Sequence, residues 1–133
     1  MKIKTSELTG AALDRAVMLA DGFTYQVGMP TSEWAADNAC EASIWRRSPG
    51  GTWACMRCSS DGYPSTDWSQ GGPIIERESI SVCPASDAPW MACDSQGKNR
   101  HTGPTPLIAA MRCFVASKLG NEVDIPDELI KTA

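Results

Sequence analysis

Residues 103–120 read GPTPLIAAMRCFVASKLG, a helix with both of its ends written into the sequence. Thr105 stands where an N-cap side chain is wanted. Pro106 follows at the first helical position, where a missing N–H costs nothing. Leu107, Ile108, Met111, Phe114, Val115 and Leu119 recur at helical spacing and make one apolar stripe. Lys118 falls in the last turn, at the negative end of the helix dipole, and Gly120 is expected to stop the helix in the left-handed conformation. A helix specified this fully is the expected wall against which the rest of the chain packs.

Working outward, DSQGKNRHTG at 94–103 is a polar loop by composition, and PWMAC at 89–93 is a short strand. Residues 65–84 read STDWSQGGPIIERESISVCP. Here Gly71-Gly72-Pro73 reads as a turn, and IIERESISV after it as a strand. Ile74, Glu76, Glu78, Ile80 and Val82 occupy its alternate positions, a set mixed enough to suggest a bulge or a register shift. IWRR, SPGG and TWACMRC at 44–58 make a hairpin about Ser48–Gly51, FTYQV at 23–27 is a further strand, and a turn of helix is expected near Trp34 and Ala35.

At the start of the chain, Ile3 and Leu8 mark an extended entry. Thr9 then opens a helix over Gly10–Ala20, closed by Asp21-Gly22. Ala12, Leu13, Ala16, Val17 and Ala20 share one small-residue face, suited to close packing on the main helix or on a second copy of the chain. At the other end NEVDI is extended, and a short helix is expected from Pro126, with Asp127 and Glu128 in its first turn. The simplest packing is α+β: a small antiparallel sheet covered by two main helices, with a short C-terminal helix, in one domain over 1–133.

Composition bounds the function. The chain is 42% hydrophobic and 21% charged, ordinary for a globular protein, and its net charge of −4 supplies no field to recruit nucleic acid or an acidic membrane. Residues 1–8, MKIKTSEL, hold no apolar leader, and nothing approaches the ~20 apolar residues of a membrane span. A cytoplasmic protein with reduced thiols is the expectation.

Three blocks carry a family resemblance: KTSELTGAALDRAV at 4–17, STDWSQGGPIIERE at 65–78 and GPTPLIAAMRCFVASKLGNEVDIPDEL at 103–129. Together they closely resemble the NinX family of temperate phages. The resemblance implies a phage accessory protein made inside a bacterium, and implies no reaction.

No complete catalytic set stands out. Cys55 and Cys58 form one C-x-x-C, with Cys40 before it and Cys83 and Cys93 after. These thiols could hold zinc, yet a single pair lacks the second knuckle of a structural zinc site, and buried or incidental thiols are the simpler reading. Cys113 reads as a small core residue. His101, the lone histidine, reads as an exposed loop residue, and Glu76 and Glu78 as one exposed strand face around Arg77. No catalytic residue, metal site or cofactor is therefore assigned, and an enzyme is the lesser expectation.

One constellation does suggest a ligand. Trp68 offers an aromatic plane, Thr66, Asp67 and Gln70 offer short polar groups, and Gly71 and Gly72 let a backbone come close. Gly103 and Thr105 lie at the positive end of the main helix, where an anion is favoured, and Arg77 or Arg112 could add a charge. Should the fold join these segments, they suit a nucleotide-like small molecule, bound without catalysis and, in a phage protein, sequestered from a host defence pathway. The alternatives are an adaptor for a host or phage protein, anchored by Trp34, Trp45 and Trp53, and a zinc-stabilised binding module. Neither membrane nor nucleic acid is an expected partner, and a homo-oligomer stays open.

Overall fold

The computed structural model describes residues 2–27, 44–51, 53–55 and 63–125. The chain divides into two compact units, residues 1–20 with 62–133 and residues 21–61. The expectations at Trp34, Cys40, Cys58 and the helix from Pro126 lie outside the described residues.

The smaller unit is the expected hairpin with one strand added. β2 (Thr24–Val27), β3 (Ile44–Arg47) and β4 (Trp53–Cys55) form an antiparallel sheet in the order β2-β3-β4. Trp45 pairs with Cys55 and Arg47 with Trp53. Pro49 and Gly50 take the central positions of the turn, and the Gly51 amide donates to the Ser48 carbonyl at 2.9 Å.

The larger unit is built around the C-terminal helix. α3 (Pro106–Leu119) begins as the sequence predicts: the Ile108 amide donates to Thr105 Oγ1 at 3.1 Å, with Pro106 in the first turn. At its other end Gly120 has φ 94° and ψ −171°, a positive-φ extended residue rather than a left-handed helical one. The helix is buried on every side through its middle, not along one stripe. Arg112 and Cys113 are buried there along with Met111 and Phe114, while Leu119 is exposed. The reason is that α3 touches elements on all sides: α1 (Gly10–Ala20), α2 (Trp68–Glu78) and the strands β5 (Ser81–Pro84), β6 (Trp90–Cys93) and β7 (His101–Gly103). α1 covers it with Leu13, Ala16 and Val17, all fully buried.

β5, β6 and β7 form a second antiparallel sheet in that order, so the segment expected as loop before α3 holds a strand. A third pairing joins the two ends of the unit. β1 (Lys2–Lys4) runs antiparallel to β8 (Glu122–Asp124), setting Lys2 opposite Asp124 and Lys4 opposite Glu122, an arrangement of unlike charges that favours this register. The fold class is α+β, as expected.

The second correction is α2. Residues 68–78 are a helix, not a turn followed by a strand. Asp67 caps it, accepting the Ser69 amide at 2.9 Å and the Ser69 hydroxyl at 2.6 Å, and these bonds hold the Asp67 carboxyl below the usual range. Pro73 cannot donate to the Ser69 carbonyl, but both residues are exposed and water can serve that acceptor. Ser79 ends the helix in the left-handed region. Its amide donates to Glu76 and the Ile80 amide to Ile75, the paired closure that glycine usually provides. Two residues apart on a helix, Glu76 and Glu78 point in different directions. Glu78 instead meets Arg77 at 2.9 Å and Lys118 at 3.2 Å.

Arg112 ties the unit together from inside. Its Nε donates to the Leu8 carbonyl at 2.8 Å and its Nη1 to the Thr102 carbonyl at 2.7 Å. Beside it stands His101, half-buried at the start of β7 and not on an open loop. Burial and the Arg112 charge push the imidazole pKa down, against a hydrogen bond with Asn121. Nearer the chain start, buried Thr5 donates its hydroxyl to the Gly120 carbonyl at 2.7 Å and its amide to Asn121 at 2.8 Å, fixing the exit of α3. Among the described residues no helix is long and apolar enough to cross a membrane.

Three outcomes are expected. Gly71→Ala should lower stability by roughly 1–3 kcal/mol in chemical denaturation, because a Cβ there would strike the Pro64 carbonyl and lie 2.6 Å from Leu107 Cδ1. Arg112→Met should cost about 2–4 kcal/mol, since it strands two acceptors in the interior, and Arg112→Lys should recover only part of that, since an ammonium cannot span both carbonyls. Thirdly, a histidine whose folded pKa lies below its unfolded value, about 6.5, stabilises the fold above that value and loses the contribution as pH falls. The unfolding midpoint should therefore drop between pH 7.5 and 5.5, and His101→Gln should flatten the drop.

Candidate functional site

Two helix starts meet in the larger unit. The chain enters α2 through Tyr63–Asp67 and α3 through Gly103–Thr105, and glycine sets how close these entries come. Gly71 lies in the first turns of α2 against the Pro64 carbonyl and the Leu107 side chain. Gly103 lies just before α3, where a Cβ would sit 2.8 Å from the Ala109 amide and 3.1 Å from Ile108 Cγ2. Both are buried by the chain's own atoms, so their smallness serves packing between the helix starts.

Between these starts is an open cleft of about 190 Å³, lined by Ser65, Thr66, Trp68, Thr105, Leu107 and Ile108. Trp68, 56% exposed, supplies an aromatic surface at its edge, and Leu107 and Ile108 supply the apolar wall. The entry loop is anchored from behind. The Ser65 amide donates to Asp14 Oδ1 of α1 at 2.9 Å. Burial pushes the Asp14 carboxyl up, and Ser65 and the Arg15 charge act against that. The Ser65 hydroxyl, in a residue only 2% exposed, is sealed beside the same carboxylate and helps the amide to lower its pKa.

Of the residues expected to bind a ligand, Thr66, Trp68 and Thr105 line this cleft together. The others do not. Asp67 is spent on capping α2. The Gln70 side chain donates to Asp67 at 3.1 Å and accepts the Tyr63 amide at 2.6 Å, locking the entry loop onto the helix start. Gly71 and Gly103 are packing positions, and Gly72 lies mid-helix with open space around its Cα. Arg77 bonds Glu78 and lies 5.7 Å from the centre of the Phe114 ring, a cation–π contact on the other side of α2's length. Arg112 is occupied by two carbonyls. Sequence reasoning passed over Ser65, Leu107 and Ile108; the one signal for Ser65 is its place beside Thr66 in the loop already singled out.

The amides at the start of α3 are largely used up. Pro106 has none, that of Ile108 goes to Thr105 Oγ1, and that of Ala109 goes to the Thr105 carbonyl at 3.1 Å. Leu107 alone contributes a first-turn N–H there. Among the described residues, no carboxylate, imidazole, thiol or cation lines the cleft. Its lining can stack a flat ring and exchange hydrogen bonds through the hydroxyls of Thr66 and Thr105.

Three thiols are described in the larger unit. Cys83 is exposed, Cys93 half-buried and Cys113 buried, with burial and the neighbouring Asp94 and Cys93 pushing the Cys113 thiol to about 12, where it is inert as a nucleophile. Among the described residues no three His, Cys, Asp or Glu side chains gather as metal ligands.

Comparison with known proteins agrees with the sequence blocks and extends them. A search of curated proteins finds no match. A family model described as bacteriophage P22 NinX matches residues 4–118, which takes in the middle of the chain as well as the cleft and both helix starts. The chain belongs to this phage NinX family.

Proposed function

We propose that this is a phage accessory protein that acts in the host cytoplasm, where it binds a nucleotide-like small molecule of the host and holds it without transforming it, countering a defence that relies on that molecule. One observation carries the reading: Thr66 and Trp68, at the start of one helix, and Thr105, at the start of another, line a single cleft. An exposed tryptophan beside hydroxyls is a surface on which any flat, hydrogen-bonding ring can stack. Among the described residues the lining holds no titratable group, which favours binding over turnover, since general acid–base catalysis needs a titrating side chain within reach of substrate. Family membership supports the phage setting.

The alternative of an adaptor anchored at Trp34, Trp45 and Trp53 rests on side chains outside those described, and no specific observation favours it.

Ribonucleosides and ribonucleotides, added singly while the unfolding temperature is followed, test the proposal. A ligand present at 100 times its Kd should stabilise the protein by about 2.7 kcal/mol. Trp68→Ala should leave the free protein's midpoint nearly unchanged, because the side chain is largely exposed. The same change should weaken binding by about 1–3 kcal/mol, the usual contribution of one stacked aromatic. If no member of the panel shifts the midpoint, the proposal fails.

A further inference from the structure

Resting on that reading, we infer that the cleft recognises the uncharged heterocycle of its ligand, a nucleobase or a ring like it, and that any phosphate stays outside.

The size of the cleft points this way first. About 190 Å³ is below the 300–1,000 Å³ of pockets that engulf drug-sized ligands, and it has room for a ring system without its sugar and phosphates. The lining points the same way. Trp68, Leu107 and Ile108 offer one aromatic face and two aliphatic side chains, and among the described residues no lysine, arginine or histidine lines the cleft to neutralise a phosphate. Nor do the helix starts supply a phosphate cradle. Pro106 has no N–H, and Thr105 takes the Ile108 and Ala109 amides with its own oxygens. At the other start, the Asp67 carboxylate already occupies the positive end of α2, taking the amides of Ser69, Gln70 and Gly71 with its side chain and carbonyl. A phosphate arriving there would meet a like charge with few donors left.

Thr66 and Thr105 bring two hydroxyls to the lining. A hydroxyl both donates and accepts, so each can pair with a ring nitrogen or an exocyclic carbonyl or amine. The chemistry is that of a base edge held by hydroxyls with its face on tryptophan.

Calorimetric titration of the full chain with the four ribonucleosides, their 5′-monophosphates and inorganic phosphate tests this. At least one nucleoside should bind, its monophosphate should bind no more than threefold tighter, and inorganic phosphate should not compete. Thr66→Val should weaken that nucleoside at least fivefold while leaving the unfolding midpoint of the free protein in place, since Thr66 is exposed. Trp68→Phe, which keeps the stacking surface, should retain most of the binding. A monophosphate that binds tenfold or more above its nucleoside, with phosphate competing, overturns the inference and leaves the ligand-binding reading standing. A Thr66→Val protein that folds and binds as the parent does also overturns it. Failure of every compound to bind overturns both.

Discussion

A guanidinium buried in a helix that carries no acidic side chain must find its partners in the backbone. Arg112 does so with the Leu8 and Thr102 carbonyls, which belong to the chain's first turn and to its last strand before α3. The cation is desolvated, and burial lowers its pKa, so its hold on the proton rests on these acceptors. The converse matters more for the fold. Two segments far apart in sequence can dock on α3 only where their carbonyls meet that one planar fork. Thr5 repeats the device about two turns further on, with the Gly120 carbonyl and the Asn121 backbone, so the N-terminal segment is fastened to the middle and the end of the same helix.

With the middle of α3 fixed from inside, its N-terminal turn is free to shape a surface. α2 reaches it through Gly71, and β7 through Gly103, and in each case an added Cβ would strike backbone. The two glycines thus set the width of the approach, while Ile108 and Leu107 face the space left between. Asp14 of α1 steadies the loop into α2 by taking the Ser65 amide, so three elements converge on the cleft although none of them was selected for it by local propensity alone.

How much of this was legible follows from which signals are local. α3, α1 and the Ser48–Gly51 hairpin could be read because caps, stripes and turn residues lie next to the elements they define. α2 was misread because Gly71-Gly72-Pro73 is ordinary turn vocabulary, and because Ile74, Ile80 and Val82 fit a period of two as well as chance allows. The better signal stood just upstream: Asp67-Trp-Ser-Gln70 has a capping residue followed three positions later by glutamine, the mark of a helix start. The Gly-Gly-Pro run then lies inside a helix that tertiary packing on Leu107 supports. β7 escaped notice for a different reason, since three residues are too few for periodicity and only the ladder with β6 makes them a strand. The same logic divides the site. That Trp68 and Thr105 would come together depended on two helix starts meeting, and the residues showed only the one at Thr105, with Trp68 read as part of a loop. Ser65 became visible only once its burial was known.

The glycines and the helix start invited the expectation of an anion site, and the structure shows why that inference does not transfer. A helix N-terminus attracts anions through its unsatisfied amides. Here a threonine cap and a proline satisfy or remove most of them at α3, and an aspartate does so at α2, so the features that specify each helix so clearly in the sequence also consume its capacity to hold phosphate. Strong capping and anion binding compete for the same N–H groups. What the capped ends leave behind is an open recess between them, uncharged among the described residues and edged by an exposed tryptophan.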